Sequence, residues 1–99
     1  MVYFVYLIKS ISPHIKKTYV GYTNNLNRRL KFHNSNKGAK STRGLKWKII
    51  YKKKYLTKSS AMKDEYKLKK DYKLRKYIKF NFLNKWKKIF SSYFLLRKV

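Results

Sequence analysis

A chain of 99 residues with 28 Lys+Arg, 3 Asp+Glu and no cysteine carries a formal net charge of +25. The missing thiols exclude a disulfide framework, a thiolate zinc site and a cysteine nucleophile, and the length predicts one domain with a modest two-layer core. Charge of this sign and size repels itself unless a polyanion neutralises it, which makes nucleic acid the first candidate partner and an anionic membrane the second.

Hydrophobic residues at 43% and aromatics at 18% supply enough apolar surface to fold, so only the charge half of the disorder signature is met. Most cations are lysine, and Asn, Ile, Tyr and Phe are abundant too. AT-rich coding favours that set, so part of the lysine excess reads as drift on a core that already binds nucleic acid. The segment Met1 to Ile8 has no basic region and no small-residue cleavage site, so no signal peptide is expected. No apolar run approaches the ~18 residues of a membrane span. A soluble cytoplasmic protein is the expectation.

In chain order, Val2 to Lys9 alternates with Phe4, Tyr6 and Ile8 on one face and Tyr3, Val5 and Leu7 on the other. Both faces are apolar, which predicts a central strand covered on both sides. Ser10 to Lys17, with Pro13 and His14, is a loop that returns the chain into a second strand, Thr18 to Tyr22. Gly21 interrupts that strand, as a bulge or as a close backbone approach by a partner.

Thr23-Asn24-Asn25 then turns into a helix starting near Leu26, because an Asx residue ahead of an apolar-periodic run caps the first turn. At about 100° per residue, Leu26, Arg29, Leu30 and His33 share one stripe, while Asn27, Arg28 and Lys31 point elsewhere. An arginine and a histidine on the face due for burial conflict with simple patterning, and such conflicts mark functional sites.

Asn34 to Gly44 is a polar, glycine-punctuated loop. As a solvated connector it needs no further role. As a binding loop, Gly38 would let amides approach a phosphate while Lys37, Lys40 and Arg43 add charge. Trp47 to Tyr55 alternates again, with Trp47, Ile49, Tyr51 and Tyr55 against Lys48, Lys52 and Lys54, and Ile50 as the exception. This predicts an edge strand with one wet, basic face.

Ser59-Ser60 is the predicted cap of a helix from Ala61 towards Lys70, with Ala61, Glu65, Leu68 and Tyr72 as its stripe. Glu65 then lies on the buried face, either as a metal ligand or paired with a buried arginine such as Arg29. Asp71 to Lys79 reads as a further short helix. Asn81 to Val99 reads as a separate basic amphipathic helix, with Phe82, Leu83, Trp86, Ile89, Phe90 and Tyr93 at helical spacing. Residues 80–99 form an extension on a domain of residues 1–79, expected to dock on that domain or on a second copy. Repeats, zinc spacing, a GxxxxGK[ST] loop and a Ser-His-Asp pattern are all missing.

Tyr6, Tyr19, Arg29, His33 and Glu65 are thus the polar groups on otherwise buried surfaces. Together they offer a phenol for a proton, a guanidinium for a phosphate and a carboxylate for a divalent cation. At these residues the chain resembles the GIY-YIG nuclease superfamily. Phe4-Val-Tyr6 stands where Gly-Ile-Tyr is expected, and Tyr19-Val-Gly21 matches the second tripeptide. Arg29 and His33 follow at the family's spacing, and Glu65 falls where the family keeps a metal-binding glutamate. The loop Lys37-Gly-Ala-Lys-Ser-Thr-Arg-Gly44 resembles that of small single-domain members related to the UvrC N-terminal and Slx-type nuclease domains.

The resemblance implies an α+β fold, a small three-stranded antiparallel sheet flanked by helices with the first strand central. It implies a metal-dependent DNA endonuclease, structure- rather than sequence-directed, acting in repair or recombination. One divalent ion, Mg²⁺ or Mn²⁺, would sit on Glu65. Tyr6 or Tyr19 would be the general base, Arg29 would stabilise the pentavalent phosphorus and His33 would position or assist. The products would carry 5′-phosphate and 3′-hydroxyl ends. A basic nucleic-acid-binding protein without catalysis is the competing reading.

Overall fold

The computed structural model describes residues 1–12 and 14–97, with side chains described through residue 85. Pro13 and the stripe positions Trp86, Ile89, Phe90 and Tyr93 lie outside those described side chains. Strands β1 (Tyr3–Ser10), β2 (Thr18–Thr23) and β3 (Trp47–Tyr55) form an antiparallel sheet in the order β2-β1-β3. Helices α1 (Leu26–Asn34), α2 (Lys58–Lys70) and α3 (Tyr72–Arg97) flank it, giving an α+β fold.

The first strand is central because it is apolar on both faces. Val5, Tyr6, Leu7 and Ile8 are at most 2% exposed. On one face Val5 and Leu7 pack with Val20, with Ala61 and Leu68 of α2 and with Ile78 of α3. On the other, Tyr6 and Ile8 pack with Trp47 and Tyr19 and with Leu26 and Leu30 of α1. Burying each such side chain contributes about 1.5–3 kcal/mol, so both layers draw on the same strand.

Helix α1 starts as its sequence predicts, with Asn25 Oδ1 accepting from the Arg28 amide at 3.1 Å. Three expectations for the later helices need correction. The cap of α2 is Thr57, whose Oγ1 accepts from the Ser60 amide at 3.1 Å, so Ser59 and Ser60 lie inside the first turn. Tyr72 is not on the α2 stripe, because α2 ends at Lys70 and Tyr72 opens α3 with 66% exposure. Asp71 divides the two, its Oδ1 accepting from the Leu74 amide at 3.0 Å. The two helices expected after residue 71 are one, running unbroken from 72 to 97. Neither glycine nor proline interrupts it, and Asn81 within a helix costs under about 1 kcal/mol.

The sheet also corrects the reading of Gly21 and Ile50. β2 pairs with β1 straight through Gly21, which faces Tyr6 in unbroken register. The bulge lies in β3 instead. Ile8 pairs with Ile49 and Leu7 with Tyr51, which leaves Ile50 without a partner. A bulge reverses the phase of every later side chain. Trp47 and Ile49 therefore join the Tyr6 face, whereas Tyr51 and Tyr55 join the Val5 face. Among the described residues, no helix is long and apolar enough to cross a membrane.

Candidate active site

β1 carries Tyr6 to the face covered by α1, and one turn beyond Arg29 the helix presents His33, which is fully buried. Leu26, Arg29, Leu30 and His33 are shielded and Asn27, Arg28 and Lys31 are exposed, as the stripe predicts, and Phe32 and Asn34 are half-buried beside them. A Cβ on Gly21 would fall on the Tyr6 hydroxyl and its ring carbon. The close approach at Gly21 is thus made by Tyr6 itself. A Cβ on Gly38 would fall on His33 Nδ1, so that glycine lets the loop close over the imidazole.

The hydrogen bonds around His33 fix its tautomer. Thr42 donates its hydroxyl proton to the Ala39 carbonyl at 2.8 Å. A hydroxyl has one proton, so Thr42 Oγ1 accepts from His33 Nδ1–H at 2.9 Å. Nε2 then carries the lone pair and accepts the Tyr6 O–H at 2.9 Å. Burial first, and the Arg29 charge second, lower the His33 pKa, which holds the ring neutral and ready to accept. Thr42→Val should remove the lock at nearly constant volume, whereas Thr42→Ser should keep it. Ring ¹⁵N shifts of His33 are expected to show the Nδ1–H form in the parent and in Thr42→Ser. They should show a mixture of tautomers in Thr42→Val.

Arg29 Nε donates to the Tyr6 hydroxyl at 3.4 Å. That bond is the main reason the Arg29 pKa is raised, with the Tyr19 hydroxyl also contributing. Burial pushes the Tyr6 phenol up to about 12, and the Arg29 hydrogen bond opposes the rise. Tyr19 is half-buried beside them, its ring centroid 5.0 Å from His33 and 6.4 Å from Tyr6. Tyr6, Tyr19, Arg29 and His33 are therefore brought to one place.

Glu65 is only 14% exposed in its side chain, and its charge is among those that raise the Tyr6 pKa. Its partner is Lys69, Nζ to Oε1 at 2.6 Å, one turn along α2, and not Arg29. Among the described residues no group of three or more His, Cys, Asp or Glu could cage a metal. A lone carboxylate still suits Mg²⁺, which keeps several waters and takes further oxygens from substrate phosphates.

Lys37, Lys40 and Arg43 are exposed on the loop after α1. Within it, Lys40–Thr42 form a single 3₁₀ turn that delivers Thr42 to His33. Trp47 Nε1 donates to the Thr42 carbonyl at 2.9 Å. Asn34 clamps Trp47 on both sides, accepting from its amide at 2.6 Å and donating to its carbonyl at 3.1 Å. The sequence reading missed Thr42 and Asn34 as supports of the site. Thr42 sits in a polar loop where neither a 2.0 nor a 3.6 period operates, whereas Asn34, read as the first residue of that loop, closes α1 four residues after Leu30.

The model of the GIY-YIG catalytic domain family matches residues 2–79. Over 55 residues the chain is 42% identical to a UPF0213 protein of Oceanobacillus iheyensis, spanning 54% of this chain and 60% of that protein. Over 46 residues it is 54% identical to an uncharacterised protein of Acanthamoeba polyphaga mimivirus, spanning 42% of this chain and 26% of that one. The matches thus span less than two thirds of the length of both curated relatives. The solution NMR structure of a UPF0213 protein from Bacillus halodurans is 31% identical over 81% of this chain and 85% of its own, with a TM-score of 0.47. With its first 79 residues apart from Met1 matched to the family's domain, the chain belongs to the GIY-YIG catalytic domain family.

Proposed function

We propose that the chain is a metal-dependent endonuclease that hydrolyses DNA phosphodiester bonds. The observation that carries this reading is the proton chain from Tyr6 through a neutral His33 to Thr42, set beside a half-buried arginine. A phenol held at about 12 is a poor resting base, but one with an acceptor behind it can relay. Tyr6 Oη takes a proton from water as its own proton passes to His33 Nε2. The water oxygen bonds to phosphorus, the P–O3′ bond breaks and the 3′ oxygen takes up a proton from solvent. This leaves 5′-phosphate and 3′-hydroxyl ends.

Of the two tyrosines, Tyr6 is the proposed base, because its hydroxyl is the one bonded to His33. Tyr19 lines the same space and shares Arg29. Arg29 spends Nε on Tyr6 and would place its remaining N–H groups against the phosphate charge. A divalent ion, Mg²⁺ or Mn²⁺, held on Glu65 would supply further charge neutralisation at the phosphate. One domain with this net charge has little surface for base readout, so backbone and shape recognition follow, as a repair or recombination nuclease requires.

The Glu65–Lys69 ion pair favours a second reading, a basic nucleic-acid-binding protein without catalysis. Supercoiled and branched DNA, each incubated with Mg²⁺ and with EDTA, separates the two. Mg²⁺-dependent nicking is expected. Arg29→Ala should lose about 10²–10³-fold in rate, the usual cost of one preorganised charge contact. Arg28→Ala, whose exposed guanidinium lies over Phe32 at 5.2 Å, should mainly weaken binding. Binding without cleavage in Mg²⁺ establishes the second reading, and equal rate losses from both arginines would refute the role given to Arg29.

A further inference from the structure

The β3 bulge decides where three adjacent lysines point. Had β3 continued in register from Ile49, residues 51 and 53 would face Tyr6 and Phe4. With Ile50 bulged, Lys52 pairs with Tyr6 and Lys54 with Phe4. Residues paired across an antiparallel ladder share a face. Two rows therefore cross the sheet on the side of the candidate site, Lys52–Tyr6–Gly21 and Lys54–Phe4–Thr23. Bulges occur beside active sites for this reason, because they re-aim side chains.

Lys52 and Lys54 are exposed on the outer strand. Lys53, between them, goes to the other face, where its Nζ is 4.0 Å from Asp64 Oδ2 and 5.5 Å from the Tyr55 ring centroid. Phe4 is equally distinctive. Its neighbours in β1, from Tyr3 to Ile8, all belong to one core cluster or the other, and half-buried Phe4 belongs to neither cluster among the described residues. An aromatic ring flanked by two lysines without acidic neighbours in their rows is suited to a nucleic-acid strand, with phosphates on the lysines and a base on the ring.

We infer that Lys52, Lys54 and Phe4 form a shelf that holds the DNA strand leading to Tyr6. The inference rests on the nuclease reading for the role of Tyr6, and on register and charge for the shelf itself. The two lysines lie about 7 Å apart along the strand, so each can take a separate phosphate. The bound segment is a phosphodiester backbone with an unpaired base, as at a branch or a frayed end.

The test is binding in EDTA, where no cleavage intervenes, to a duplex with a single-stranded end across a range of salt. Each lysine that contacts a phosphate of the single-stranded end should contribute about 0.7 to the slope of log affinity against log salt. Lys52→Ala/Lys54→Ala should flatten the slope by about 1.4 units and Lys53→Ala should leave it unchanged. Phe4→Leu should weaken binding to the single-stranded end by roughly tenfold and leave the slope alone. Equal slopes for the double variant and Lys53→Ala would overturn the shelf. So would loss of binding to phosphatidylserine vesicles with DNA binding intact, which would assign the lysines to a membrane. A parent protein that binds but never nicks DNA defeats the nuclease reading, and the slopes still judge the shelf.

Discussion

Tyr6→Phe is expected to fold and to lose about 10²–10⁴-fold in cleavage rate, the range that a positioned proton acceptor supplies. The phenol ring keeps its place over Gly21 and in the Ile8–Trp47 cluster, so packing survives. The lost oxygen is the one that donates to His33 and accepts from Arg29. A buried acceptor left without its donor costs about 1–3 kcal/mol, so a lower melting temperature should accompany the loss. Tyr19→Phe leaves the Tyr6–His33 bond intact and should cost less. A Tyr6→Phe protein that cleaves at the parent rate would remove the relay.

The same relay fixes the pH dependence. His33 must be neutral to accept, and burial together with Arg29 lowers its pKa. The acid limb of the rate should therefore lie below the ordinary histidine range, with activity falling as pH drops through the lowered value. Stability follows with the same sign. The unfolded histidine binds its proton at a higher pH than the folded one. Stability is therefore full above the unfolded pKa and is lost as pH falls through it towards the folded value. Chemical denaturation at several pH values checks this independently of any cleavage.

Much of this was legible in the sequence wherever period and burial agree. Apolar residues on both faces of Tyr3–Ser10 predict the central strand. The 3.6 period of α1 singles out Arg29 and His33 from Arg28 and Lys31. The sequence stops being legible where a single residue changes phase. Ile50 stands out as an exception to alternation, but only the register shows that it turns Lys52 and Lys54 towards Tyr6. Gly21 reads as a bulge or an opening for a partner, and Gly38 as part of a connector or of a binding loop, whereas Tyr6 and His33 fill the two spaces. Thr42 acts through one oxygen shared between a carbonyl and an imidazole, a geometry that leaves no trace in spacing. A lone glutamate on an apolar stripe announces an interaction without naming its partner, and Lys69 was one turn away.

That ion pair shapes the second large effect. Glu65→Gln should retain DNA binding and lose Mg²⁺-dependent cleavage, because charge neutralisation worth several kcal/mol leaves with the cation, or about 10³-fold or more in rate. For a cation to reach Glu65, Lys69 must give way. The Lys69 side chain is 51% exposed and the pair is of the i,i+4 kind, a type worth only about 0.3–0.5 kcal/mol. Displacing it therefore raises the metal requirement by a factor of about two. Lys69→Met should lower the Mg²⁺ midpoint of cleavage by about that factor and leave the saturated rate unchanged. Calorimetric titration of Mg²⁺ into the protein without DNA should show the same direction, and no binding at all to Glu65→Gln. A Lys69→Met protein that has lost cleavage at saturating Mg²⁺ would place Lys69 on the substrate. In that case the Glu65 contact would be the device that aims Lys69, and the metal site would have to be sought elsewhere.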